Sequence, residues 1–175
     1  MHPEGEIVNR VALSGLVTFD LEAFYTPGER VVIDIKNQLY QGLILKEKDF
    51  REFIKTTDWS AYHNKHVALT CSADAIVPTW AYMLLTIALE PFAKTVIFGS
   101  VDDLETHLFF KSLSSVDWSQ YAGARVVIKG CSNVRVPEAV YVEVTRKLKP
   151  VAAGLMFGEA CSTVPLYKKS KAKET

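Results

Sequence analysis

Residues 66–99 read HVALTCSADAIVPTWAYMLLTIALEPFAKTVIFG, and residues 125–158 read RVVIKGCSNVRVPEAVYVEVTRKLKPVAAGLMFG. Each stretch opens on a short apolar run, passes through Cys-Ser to Val-Pro, and closes on a second apolar run ended by glycine. The two are in step. Pro78 and Pro137 stand 59 positions apart (137 less 78), and the same offset pairs Val67 with Val126, Tyr82 with Tyr141, Thr86 with Thr145 and Leu89 with Leu148. It also pairs Pro91 with Pro150, Ala93 with Ala152 and Phe98-Gly99 with Phe157-Gly158, and reaches upstream to Asp58-Trp59-Ser60 and Asp117-Trp118-Ser119, and to Tyr62 and Tyr121. Ordinary composition gives about one chance match in sixteen positions, so the pattern reads as an internal duplication.

Outward from this core, residues 1–28 form a head segment closed by the turn Thr26-Pro27-Gly28, residues 39–98 a first repeat, residues 99–158 a second, and residues 168–175 a basic tail. Strands are expected over Arg30 to Ile35, His66 to Thr70, Lys94 to Phe98, Arg125 to Lys129 and Ala152 to Phe157, all short and rich in branched apolar residues. Helices are expected over Lys46 to Thr56, where Phe50, Phe53 and Ile54 keep helical spacing, and over Leu104 to Leu113. Two more run from Pro78 to Glu90 and from Pro137 to Lys149, since proline suits a first helical turn and Pro91 and Pro150 end the runs. Strands alternating with helices indicate a single α/β domain over 1–175: a mostly parallel sheet, covered by helices on both faces and built from two βαβ-containing units of roughly 59 residues. The segment Trp80 to Leu89 is apolar nearly all round, so it is expected either inside the monomer, the favoured placement, or at a homodimer interface.

Bulk properties narrow the function classes. The chain of 175 residues is 49% hydrophobic and 23% charged, with twenty basic and twenty acidic residues, which is no electrostatic footprint for nucleic acid. Lys168, Lys169, Lys171 and Lys173 read as a solvated end. Met1 to Glu6 carries no basic start before an apolar core, and the longest uncharged stretch, Ala75 to Leu89, is too short to span a bilayer. A cytoplasmic protein without membrane partners is expected, and there three cysteines point to metal binding, catalysis or plain burial rather than disulfides.

Those cysteines share one phrase: Cys71-Ser72…Val77-Pro78, Cys131-Ser132…Val136-Pro137 and Cys161-Ser162-Thr163-Val164-Pro165. Cys71 and Cys131 are expected directly after strands and Cys161 shortly after one, at the sheet's carboxyl edge, where ligands bind in open parallel sheets. Adjacent strands lie about 4.8 Å apart, and the following helix amino termini lower a thiol's pKa. Three thiolates suit zinc or an iron–sulfur cluster. Zinc wants a fourth ligand, for which Asp74 and Glu159 are the better-placed candidates; His63 and His66 precede a strand and match Ala122 and Arg125 in the second repeat. Against this stands free cysteine's habit of packing as a small hydrophobe, and the plain alternative reading of Val-Pro is a helix start. Asp58-Trp59-Ser60 and its copy read as loop anchors, with the indole packed and the carboxylate or hydroxyl capping. There is no phosphate-cradling glycine loop, no dinucleotide fingerprint and no nucleophile elbow, and neither Cys-Ser loop carries a histidine base.

Asn9-Arg10-Val11, Ser14 to Asp20 (SGLVTFD), Thr70 to Ala75 (TCSADA), Pro78 to Met83 (PTWAYM) and Phe157 to Pro165 (FGEACSTVP) together resemble the bacterial family known as domain of unknown function 2480, over about Ile7 to Lys169. That family brings no activity with it. The proximity of its genes to those of iron–sulfur assembly implies iron–sulfur assembly proteins as partners. The expectation is therefore a metal- or cluster-binding protein using Cys71, Cys131 and Cys161, an accessory in cluster assembly. A dimeric interaction module with structural cysteines and a thiol-dependent enzyme are the alternatives.

Overall fold

The structure is a computed structural model that describes residues 15–130, 133–159 and 162–169. It is a mixed α/β protein in which the chain divides into two compact units, one of Thr26–Leu108 and one of Met1–Tyr25 with Phe109–Thr175.

In the first unit, β2 (Arg30–Asp34), β5 (His66–Thr70) and β6 (Thr95–Phe98) form a parallel sheet in the order β2-β5-β6. A small antiparallel hairpin, β3 (Leu39–Tyr40) with β4 (Ile44–Leu45), precedes helix α1 (Glu47–Thr56), and α2 (Thr79–Leu89) links β5 to β6. Every side chain of β5 from His66 to Leu69 is buried, as a central parallel strand requires. Val67 and Leu69 share a core with Phe50 of α1, with Ala81, Leu85 and Leu89 of α2, and with Trp59 of the 3-10 turn Trp59–Tyr62. Ala68 faces the other way, onto Leu104 and Leu108 of α3 (Val101–Leu113). Helices thus cover both faces of this sheet.

In the second unit, β1 (Leu16–Asp20), β7 (Arg125–Lys129) and β8 (Gly154–Glu159) run parallel, and β9 (Ser162–Lys168) returns antiparallel on the outer side of β8. Helix α4 (Glu138–Leu148) links β7 to β8 and supplies Val140, Val144 and Leu148 to a core shared with Phe19, Phe109, Val126, Ile128 and Leu155.

The two sheets share part of their pairing at the 59-residue offset. His66 pairs with Thr95 and Arg30 in one; Arg125, 59 positions after His66, pairs with Gly154 and Leu16 in the other. Phe50 and Phe109, the same distance apart, are both about fully buried, each 1% exposed. The strands are nevertheless divided between two main sheets, not gathered into the one that the sequence suggests. The reason is the head segment: β1 lies within it and pairs with β7, while β2 pairs with β5, so each later strand pair acquires a first strand of its own.

Two further expectations change. Val164-Pro165 starts no helix; it lies within β9, opposite Val164's partner Phe157 and Pro165's partner Met156, beside a shift in register. Proline lacks an amide donor and is tolerated on an edge strand or at such an irregularity. Helix α2 buries Ala81, Leu85 and Leu89 but leaves Met83 61% and Ile87 69% exposed, so the favoured interior placement holds for one face only. Among the described residues no helix is long and apolar enough to cross a membrane.

Candidate functional site

Carboxyl ends of parallel strands collect loops and helix starts, and both units carry polar side chains there. In the first unit, β2 ends on Asp34, whose Oδ1 accepts from the backbone N–H of Lys36 at 3.0 Å and so caps a short 3-10 turn, Ile35–Gln38. The same carboxylate accepts the Ser72 N–H at 3.1 Å and the Ser72 hydroxyl at 2.5 Å. The Ser72 hydroxyl above all, then the two backbone N–H groups and the Lys36 ammonium, hold this carboxyl down to about 2, against a weaker upward pull from burial. Asp34 therefore pins the loop after β5 to the end of β2. Folded Asp34 binds its proton more weakly than the unfolded chain does, so its contribution is complete above the ordinary carboxyl value of 3.8 and is lost as pH falls toward 2. Asp34→Asn is expected to lower the melting temperature at pH 7 and to flatten the dependence of stability on pH between 4 and 2. Unchanged acid unfolding curves would contradict this role.

Cys71 directly follows β5 and is half-buried against the first unit's core, its Sγ 3.8 Å from the Ala73 carbonyl oxygen. Tyr82 of α2 lies near it: burial, then the Cys71 thiol and the Asp34 carboxylate, raise the phenol's pKa. The Tyr82 ring meets Phe98 edge-on at 4.8 Å. Asp74 of the same loop is exposed.

In the second unit, β1 ends on Asp20, which caps the matching 3-10 turn Leu21–Phe24 through the Glu22 N–H at 3.0 Å. Lys129, the last residue of β7, sits 3.8 Å from Asp20 and 3.7 Å from Glu159, the last residue of β8. Asn133 donates to Glu22 at 2.6 Å. Tyr141 meets Phe157 edge-on at 5.8 Å, as Tyr82 meets Phe98. The Tyr141 hydroxyl closes over Gly130: a Cβ there would lie 2.7 Å from it.

Cys131 and Cys161 lie outside the described residues. The strand ends fix their places in the chain, however, and correct one expectation. Gly130 stands between β7 and Cys131, so at the 59-residue offset Cys71 matches Gly130, and Ser72 matches Cys131. The two strand-to-helix loops, residues 71–78 and 130–137, are equal in length, and Cys131 stands one position later in its loop than Cys71 does in its own. Of the candidate ligands, Cys71 and Asp74 share a loop of the first unit, and Glu159 belongs to the second with an ion pair to Lys129. Among the described residues, no three His, Cys, Asp or Glu side chains are grouped to hold a metal ion. Sequence reading overlooked Asp34 and Asp20; an aspartate closing an apolar run two residues before a polar N–H was the available signal.

The family described as "Protein of unknown function (DUF2480)" matches residues 5–169, nearly the whole chain. The chain belongs to the DUF2480 family. No curated protein and no solved structure matches it.

Proposed function

We propose that the protein binds a soft metal ion, zinc or the iron of an iron–sulfur cluster, through Cys131 and Cys161, and serves as an accessory to cluster assembly. The supporting observation is that β7 and β8 are neighbouring parallel strands, and that Cys131 and Cys161 each come two residues after the last residue of one of them, Lys129 and Glu159. Thiolates are the preferred ligands of these metals, and Lys129 at the same strand ends favours an anionic ligand set. Glu159 is the nearest carboxylate in sequence to Cys161 and the candidate for a further ligand. Cys71, the third candidate thiolate, belongs to the other unit.

Protein purified without oxygen is expected to carry about one equivalent of zinc, or iron with acid-labile sulfide. Cys131→Ser and Cys161→Ser should each lower the content by about tenfold or more, and Cys71→Ser in parallel tests the third thiol. Metal-free wild-type protein, or a Cys131/Cys161 double variant that keeps its metal, would overturn the proposal.

A homodimer through α2 is the second reading, favoured by Met83 and Ile87, exposed one turn apart on its outer face. It predicts a dimer by light scattering that Ile87→Glu converts to a monomer; a wild-type monomer at high concentration removes it.

A further inference from the structure

The two units treat one tryptophan differently. In the first unit Trp59 is sealed: Phe53 meets its ring edge-on at 5.7 Å, its N–H donates to the Ile54 carbonyl at 2.8 Å, and Leu84 and Ala88 of α2 pack against the same core. Trp118, 59 positions later, begins the same 3-10 turn behind the same aspartate cap. The residues at the matching places are Ser112 for Phe53, Glu143 for Leu84 and Lys147 for Ala88. Each change removes apolar volume or substitutes a charge. Two of the three, Glu143 and Lys147, line a cleft of about 420 Å³ together with Phe110, Leu113, Ser114, Val116 and Trp118, within the size range of small-molecule pockets.

The polar groups of this cleft indicate what fits it. The Glu143 carboxylate is already taken by Arg146, with two bonds of 2.7 Å, which hold its pKa below the ordinary value. The Lys147 ammonium forms an ion pair with Glu143 at 3.9 Å, beyond hydrogen-bond distance, and its side chain is 42% exposed. The Trp118 N–H has no hydrogen bond among the described residues, and its ring stacks on Phe19 at 5.5 Å. Ser114 donates its hydroxyl to the Lys111 carbonyl, so the donors left with hydrogen-bond capacity beside the apolar and aromatic floor are the Trp118 N–H and the ammonium of Lys147.

We infer that this cleft is a binding site for a small aromatic carboxylate, the ring lying among Phe110, Val116 and Trp118 and the carboxylate meeting Lys147 and the indole N–H. Aromatic stacking supplies most of the affinity, and the charge selects the ligand.

The test is a titration of the ¹⁵N-labelled full chain with 4-phenylbutyrate and, separately, with the uncharged 4-phenylbutan-1-ol, following the three indole N–H signals assigned by single Trp→Phe variants. The Trp118 signal is expected to move saturably while those of Trp59 and Trp80 stay, with the alcohol about fivefold weaker. Lys147→Ala should bind both ligands equally. Ser112→Phe, which installs the other unit's sealing ring, should abolish binding of both. No saturable shift at Trp118, or undiminished binding by Ser112→Phe, would overturn the site; equal affinity of wild-type protein for the carboxylate and the alcohol would overturn the ligand class. Should Ser112→Phe fail to fold, the loss of discrimination in Lys147→Ala decides the matter by itself.

Discussion

Phe50→Ala and Phe109→Ala are each expected to cost about 3–5 kcal/mol, the usual loss when a fully buried aromatic ring is cut back in a core that cannot collapse around the gap. Both side chains are 1% exposed. Phe50 sits 5.7 Å from the ring of Phe53 and 5.9 Å from that of Trp80, so its removal strips two aromatic contacts as well as apolar burial. Phe109 lies in the second unit's core, 6.5 Å from Tyr25. The urea midpoint should fall while the slope stays the same. Phe→Leu at either place, keeping most of the volume, should cost about 1–2 kcal/mol. A loss below about 1 kcal/mol for either alanine variant would mean that the matched positions are not core anchors.

Gly28→Ala is expected to cost about 2–4 kcal/mol, through backbone strain and overpacking together. Gly28 has φ of +142°, a conformation that disfavours any side chain, and a Cβ would stand 2.8 Å from Cδ2 and Nε2 of His66. The imidazole has nowhere to go. It is 2% exposed at the start of β5, its Nε2 is 3.3 Å from the Pro27 carbonyl oxygen, and its Nδ1 is buried without a partner among the described residues. Burial lowers the His66 pKa first of all, and Arg30 and Lys94 add to the effect against Pro27 and Glu105. The folded ring therefore binds a proton less readily than the unfolded one. Its contribution is intact above the ordinary value of 6.5 and is lost as pH falls below it. Gly28→Ala should thus shift the melting temperature downward at pH 8, where His66 is neutral in both states, and a shift confined to acid pH would point away from steric conflict.

The local elements were legible because local chemistry dictates them. His66–Thr70 and Arg125–Lys129 appear with the bounds expected from their apolar runs, and both helices that follow a Val-Pro begin one residue after the proline. What the sequence left open was pairing at a distance. Leu16–Asp20 alternates too little to announce a strand, and only its partner β7 makes it one. Val164-Pro165 repeats a phrase that begins helices elsewhere, but β8 offers it a ladder first, and the tertiary context prevails over the motif. At the candidate site, the residue types at the strand ends were visible, whereas the shared phrase conceals that Cys131 stands one position later than Cys71 in a loop of the same length. The Trp118 cleft was hidden because the Asp-Trp-Ser motif is the same at both places, and the difference lies outside it, in the nearby Ser112 and, farther along the chain, in Glu143 and Lys147.

The buried central strands also have a dynamic consequence. Val67, Ala68 and Leu69 of β5, and Val126, Val127 and Ile128 of β7, are at most 1% exposed and bonded on both sides. Their amide protons can trade with deuterium only when the surrounding unit comes apart. Exchange at β5 therefore gauges the opening free energy of one half of the molecule and exchange at β7 that of the other, so a single labelling experiment yields two separate readings of cohesion.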